Sequence, residues 1–344
     1  MTIKRRSLLA GSAAGMAALA APGILRAQTQ VFRLSSWLPR QHTVPYDILD
    51  PWIEIVAQST NNRVQIEILD APLGPPPAHL GLAQSGEADI VYTLHGYSGQ
   101  EAFLRSQIGQ FSFLGDSFGT AIVFSDIYRN DLNAAAEHEG VELLGLWTHG
   151  PGLLFLNGVQ IRTLDDFQQL RVRTPGGYIT EMVTELGAEN QFLSPGQISD
   201  AFVSDQINAA TFPWEAAPAF NFADKVTTGL EMPGGIYNAT WMLVMNSDAW
   251  NRISDRDQQI VQQVSGEVIG LLAGKSWDEA DYLGKQRCAD IGMTIQRASD
   301  ELIADFADLA SGYEQRWAQA VAAEGFDGDG ALDLLRRRTS VQQL

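Results

Sequence analysis

Arg171 and Arg173 stand one residue apart in the run Leu170–Arg173, just ahead of Thr174-Pro175-Gly176-Gly177, a turn that opens a helical pattern. A guanidinium fixed by a short strand beside a helix N-terminus can take a carboxylate in two parallel hydrogen bonds. The competing assignment is a surface arginine paired with Asp165 or Asp166. The two arginines share a face if the strand is regular, and position favours Arg173 as the inward one. A second group lies in TFPWEAAPAF at 211–220, where Phe212, Trp214 and Glu215 crowd a strand end. That stretch can be core, can hold a catalytic acid, or can form a recognition wall.

Other polar and aromatic residues also fall at strand ends, where a layered α/β sheet presents its ligand crevice. Trp37 ends the first strand. His95 and Tyr97 follow the strand Ala88–Tyr92, and His149 lies in the loop Trp147–Gly152. Trp241, inside the late strand Tyr237–Met245, joins the candidate set. For each, ligand contact competes with ordinary packing over the sheet. There is no P-loop, no G-x-S-x-G, no H-E-x-x-H and no cysteine pair, Cys288 being alone. The five histidines have no metal-ligand spacing. No catalytic residue, metal or cofactor is therefore expected.

The elements that must position these side chains alternate. Val31–Trp37 is a strand followed by a helix near Pro45–Ser59. Val64–Leu69 is a period-two strand, and Pro72–Pro77 a turn before the short helix Ala78–Ser85. A helix near Phe118–His138 precedes the strand Val141–Trp147. After His149-Gly150-Pro151-Gly152 the same grammar restarts, with strands at Leu153–Asn157, Leu170–Arg173 and Ile207–Phe212. This predicts an α/β fold of two lobes. The first lobe is expected over 28–150 plus about 237–265, the second over 151–236 plus about 275–344. Hinge segments are expected near 149–152 and 236–246. Residues 255–291 read as one helix, which at about 37 residues would reach roughly 55 Å, enough to cross both lobes.

The chain opens with Lys4, Arg5 and Arg6 before a small-residue apolar stretch ending at Ala27, the pattern of an export leader over 1–27. The paired Arg5-Arg6 before Ser7-Leu8-Leu9 fits the twin-arginine kind. Loss of that leader, which carries four basic residues and no acid, would take the formal charge from −18 to −22. Such a surface repels nucleic acid and anionic lipid. A periplasmic location is expected.

The segment LDDFQQLRVRTPGGYITEMVTEL at 164–186 and the run Gln206–Ala210 resemble the solute-binding proteins of TRAP transporters, the DctP family. The similarity extends from about Phe32 to the final helices. It implies a two-lobe periplasmic binding protein fold, type II-like, with hinge strands and a long lobe-spanning helix. The lobes would close over one small organic anion and deliver it to the small and large membrane permease subunits, without chemistry. The arginine matching Arg173 would take the ligand carboxylate. Phe212 stands where sugar-acid-binding members have an asparagine, and Trp147-Thr148-His149 lacks their second basic residue. The pair Trp214-Glu215 reverses the Glu-Trp order with which some members hold a metal, so no metal is carried over.

The expected ligand is thus a small carboxylate that is not a sugar acid. It is either a zwitterion of the betaine or dimethylsulfoniopropionate type, with Glu215 near its cationic end, or an aromatic or oxo acid. The alternatives are a secreted enzyme using Glu215 or His149 as acid and base, and a ligand-sensing subunit.

Overall fold

The computed structural model describes residues 29–99 and 101–340; the expected export leader lies outside them. Eleven strands run in chain order as β1 (Gln30–Ser35), β2 (Val64–Ile68), β3 (Ile90–Leu94), β4 (Val141–Thr148), β5 (Leu153–Leu156), β6 (Arg171–Thr174), β7 (Glu189–Phe192), β8 (Ala209–Phe212), β9 (Thr228–Glu231), β10 (Thr240–Asn246) and β11 (Thr294–Arg297). They form two sheets, β2-β1-β3-β10-β4 and β11-β9-β5-β8-β6-β7. In the first, β1 is parallel to β2 and β3, while β10 enters antiparallel between β3 and β4. In the second, β6 lies parallel between β7 and β8. All five residues of β3 are buried, as expected for a central strand covered on both faces.

The chain passes between the sheets from β4 to β5 and returns from β9 to β10. These two crossings touch: Gly152 donates its N–H to Tyr237 O at 2.9 Å, and Ile236 donates to Gly152 O at 2.8 Å. A side chain on Gly152 would start 2.1 Å from the Tyr237 ring, so the close approach requires glycine.

The helix expected over 255–291 is two helices, Asp255–Gln263 and Glu267–Asp290. Gly266, at φ +49°, breaks it and donates its N–H to Leu144 O at 2.7 Å. The second piece, about 36 Å long, still touches both halves of the molecule through its glycines. Gly274 packs on the backbone of Ser117 and Phe118, and Gly284 on the backbone of Trp214 and Glu215. The helices Asp300–Ala323 and Gly328–Ser340, expected with the second lobe, also hold the first. Tyr313 bonds Glu185, whereas Trp317 donates to Leu104 O and Arg336 to Ser112 O.

One hydrophobic cluster runs through the first sheet and the helices on it, with Trp52 and Trp147 fully buried. A smaller one contains Phe155, Phe202, Phe212 and Trp214. Among the described residues no helix is long and apolar enough to cross a membrane.

Candidate functional site

β6 ends at Thr174, and its register sets Arg173 against Ala210 of β8, an alanine that leaves room for the long side chain. Arg173 is 1 % exposed. Its Nε donates to Leu193 O at 3.0 Å and its Nη1 to Thr211 O at 3.2 Å, which holds the guanidinium flat. Phe212 covers one face, with the guanidinium carbon 4.0 Å from the ring centroid. Burial lowers the arginine's pKa while Tyr97 and Tyr237 oppose that shift, and a guanidinium keeps its proton at any physiological pH. Among the described residues no carboxylate forms an ion pair with it. Asp166, weighed above as a surface partner, instead accepts from the Arg162 and Thr163 amides, and Arg171 pairs with Asp205 at 2.6 Å.

Arg173 faces a narrow internal cavity of ≈ 30 Å³ between the two sheets, room for a water or two, so a larger ligand enters only as the lobes part. Seven of the nine candidate residues line it: Trp37, Tyr97, His149, Arg173, Phe212, Glu215 and Trp241. Trp37 stacks on Trp241 with centroids 5.6 Å apart and planes 2° from parallel, and Trp241 stacks in turn on buried Trp147 at 5.8 Å. The Trp37 indole is fixed by donation to Tyr92 O at 3.1 Å. His149 donates Nδ1–H to Gly150 O at 2.5 Å, and burial pulls its pKa down to about 4, so the ring is neutral at pH 7. The Tyr97 hydroxyl feels the Arg173 charge yet makes no hydrogen bond of normal geometry.

Trp214 and His95 lie away from the cavity. Phe212 and Trp214, two apart, would share a face on a strand extended through Pro213, but β8 stops at Phe212 and the chain turns. Trp214 packs against Phe155 at 5.5 Å and over Gly229, its Nε1 donating to Glu231 at 3.3 Å. His95 is enclosed in the first lobe, its Nε2 3.3 Å from His138 Nε2. His138 donates Nδ1–H to Ala134 O, and His95 Nδ1 lies 3.2 Å from Thr240 O and 3.1 Å from the Thr240 hydroxyl. Gln110 donates to that hydroxyl, and its Oε1 accepts the Tyr178 N–H at the start of a second-lobe helix. His95 thus acts on the site only by fixing the strand that carries Trp241.

Four aromatic lining residues escaped sequence reasoning: His42, Phe220, Tyr237 and Trp277. Phe220 is half-buried and lines the cavity. Among the described residues, four buried donors on cavity-lining side chains have no partner: Tyr97 Oη, His42 Nε2, Trp241 Nε1 and Trp277 Nε1. Buried polar groups are normally paired, so these four donors are free to bond a polar ligand; other unpaired buried atoms, such as Trp147 Nε1 and Asp281 Oδ2, are on residues that do not line the cavity. The arrangement sets an anion-binding guanidinium beside aromatic faces, closed tightly together.

Residues 34–320 match the family model for bacterial extracellular solute-binding proteins, family 7, DctP. The chain belongs to this family. Solved relatives share the fold and are TRAP periplasmic solute-binding proteins. One from Bordetella bronchiseptica, with bound (R)- and (S)-mandelate, is 30% identical at a TM-score of 0.86, covering 91% of this chain and 99% of that one. Another from Rhodoferax ferrireducens T118, in complex with copurified benzoate, is 25% identical at a TM-score of 0.82, covering 92% and 99%. The outer membrane transporter protein TsaT of Comamonas testosteroni is 26% identical, over 96% of this chain and 98% of its own. The two-lobe α/β fold and the solute-binding class of this DctP-family chain follow.

Proposed function

We propose that this DctP-family chain captures a small aromatic monocarboxylate between its lobes in the periplasm, after export by the twin-arginine route, and delivers it to TRAP permease subunits. The observation that carries the reading is the buried Arg173 guanidinium, which has no carboxylate partner among the described residues. It is flanked by Tyr97 and Tyr237, whose pKa values its charge lowers against the larger upward push of burial. The ligand carboxylate sits on that guanidinium. Its ring lies among Trp37, Trp241 and Phe212, where stacking contributes beyond area burial. Phe212 supplies no amide to read sugar hydroxyls. Mandelate and benzoate in two relatives support the same ligand class.

Titration of the leaderless protein with benzoate, mandelate and glucuronate, followed by tryptophan fluorescence and calorimetry, tests this. The aromatic acids should bind at least tenfold more tightly than glucuronate and be recovered unchanged. Preference for glucuronate would sink the ligand class, and product formation would revive the enzyme reading that invokes Glu215 or His149.

A betaine-type zwitterion is the second reading, favoured by the Glu215 carboxylate and the indole faces on one cavity. Including glycine betaine and dimethylsulfoniopropionate in the same titration separates the two.

A further inference from the structure

Resting on the aromatic-acid reading, the structure assigns His42 and Glu215 to a second polar subsite, which reads a hydroxyl on the ligand at a point remote from its carboxylate. His42 comes from the loop after β1 and Glu215 from the turn after β8, so the pair spans the two lobes. Both line the cavity and both are buried, with side-chain exposures of 3% and 7%. His42 Nδ1 accepts the Val44 N–H at 3.2 Å, which leaves the proton of the neutral ring on Nε2. That Nε2 has no hydrogen-bond partner and lies 3.6 Å from Glu215 Oε2, beyond hydrogen-bonding distance.

A buried donor and acceptor side by side but not joined can both be satisfied by one atom that accepts and donates. A hydroxyl oxygen about 2.8 Å from each, off the line joining them, accepts from His42 Nε2–H and donates to the Glu215 carboxylate. A methylated onium group cannot accept from His42, and a bare ring can do neither. The distance from Arg173 follows from the surroundings. Arg173 is flanked by Tyr97 and Tyr237, whereas His42 packs on Phe220 at 5.5 Å and Trp277 at 6.0 Å. His42 and Glu215 also line a larger, open groove outside the cavity, together with Asp47 and Lys275. They therefore partition the cavity from that groove.

The test compares benzoate, 3-hydroxybenzoate, 4-hydroxybenzoate and 4-hydroxyphenylacetate on the wild-type protein and on Glu215→Leu. At least one hydroxylated acid should bind wild type about ten- to a hundredfold more tightly than its unsubstituted parent. Glu215→Leu, shown folded by unchanged far-ultraviolet dichroism, should lose that preference. If every hydroxylated acid binds wild type no better than its parent, the subsite is overturned and the aromatic-acid reading stands. If the preference survives in Glu215→Leu, the hydroxyl is read elsewhere and the assignment fails. If no aromatic acid binds wild type, the parent reading fails and takes the subsite with it.

Discussion

The Phe212 ring lies over the Arg173 guanidinium at 4.0 Å, so the anchor is held by two backbone carbonyls at its edge and an aromatic face on its plane. Among the described residues no acid pairs with it. Arg173→Ala should cost about 2–5 kcal/mol of ligand affinity, roughly thirty- to several-thousand-fold. Calorimetry on a variant with unchanged far-ultraviolet dichroism reads this, and unaltered affinity would remove Arg173 from the site. Arg173→Lys should also bind poorly, because an ammonium cannot reproduce the flat fork.

The column Trp37, Trp241, Trp147 runs from the cavity into the core, and its two ends should behave oppositely. Trp147 is fully buried, so Trp147→Ala should lower stability by about 3–5 kcal/mol in chemical denaturation. Trp37 is half-buried at the cavity, so Trp37→Ala should cost on the order of 2 kcal/mol in binding and less in stability. Equal effects on both quantities would show that the column works as one unit.

Burial lowers the His138 pKa to about 4 and pushes the His95 pKa well below its ordinary value. The folded state therefore prefers both rings neutral, while unfolded histidines take up protons near pH 6.5. Their contribution to stability is complete above about 6.5 and is lost as pH falls toward 4. His138→Gln should be less stable at pH 7 yet lose less stability than wild type between pH 6.5 and 4. Parallel curves in urea denaturation would contradict this account.

Gly176, at φ +84°, meets Gly96 across the lobes, and a Cβ there would lie 2.3 Å from Gly96 O. Gly176→Ala should weaken binding of whichever acid the wild type takes. In small-angle scattering it should leave the liganded protein more expanded than wild type. Full affinity with a wild-type scattering profile would show that the backbone yields.

Much of this was legible in advance because strand and helix periodicity and the turn glycines are local signals. The short strand and the Pro-Gly-Gly turn alone left Arg173 evenly divided between a ligand anchor and a surface pair, and the family resemblance is what singled it out. Trp214 was misplaced because alternation fails where Pro213 ends the strand. His42, Tyr237 and Trp277 escaped because they reach the cavity through the apposition of the lobes, which no local pattern records. The break at Gly266 escaped because a glycine inside a helical pattern is usually tolerated.

The meeting of Gly96 with the Gly176–Gly177 turn also bears on time. An acid enclosed beside Arg173 cannot leave until that backbone seam parts, whatever its own contacts are worth. Residence time on the receptor is then governed by opening of the protein, and ligands of quite different affinity can share one departure rate.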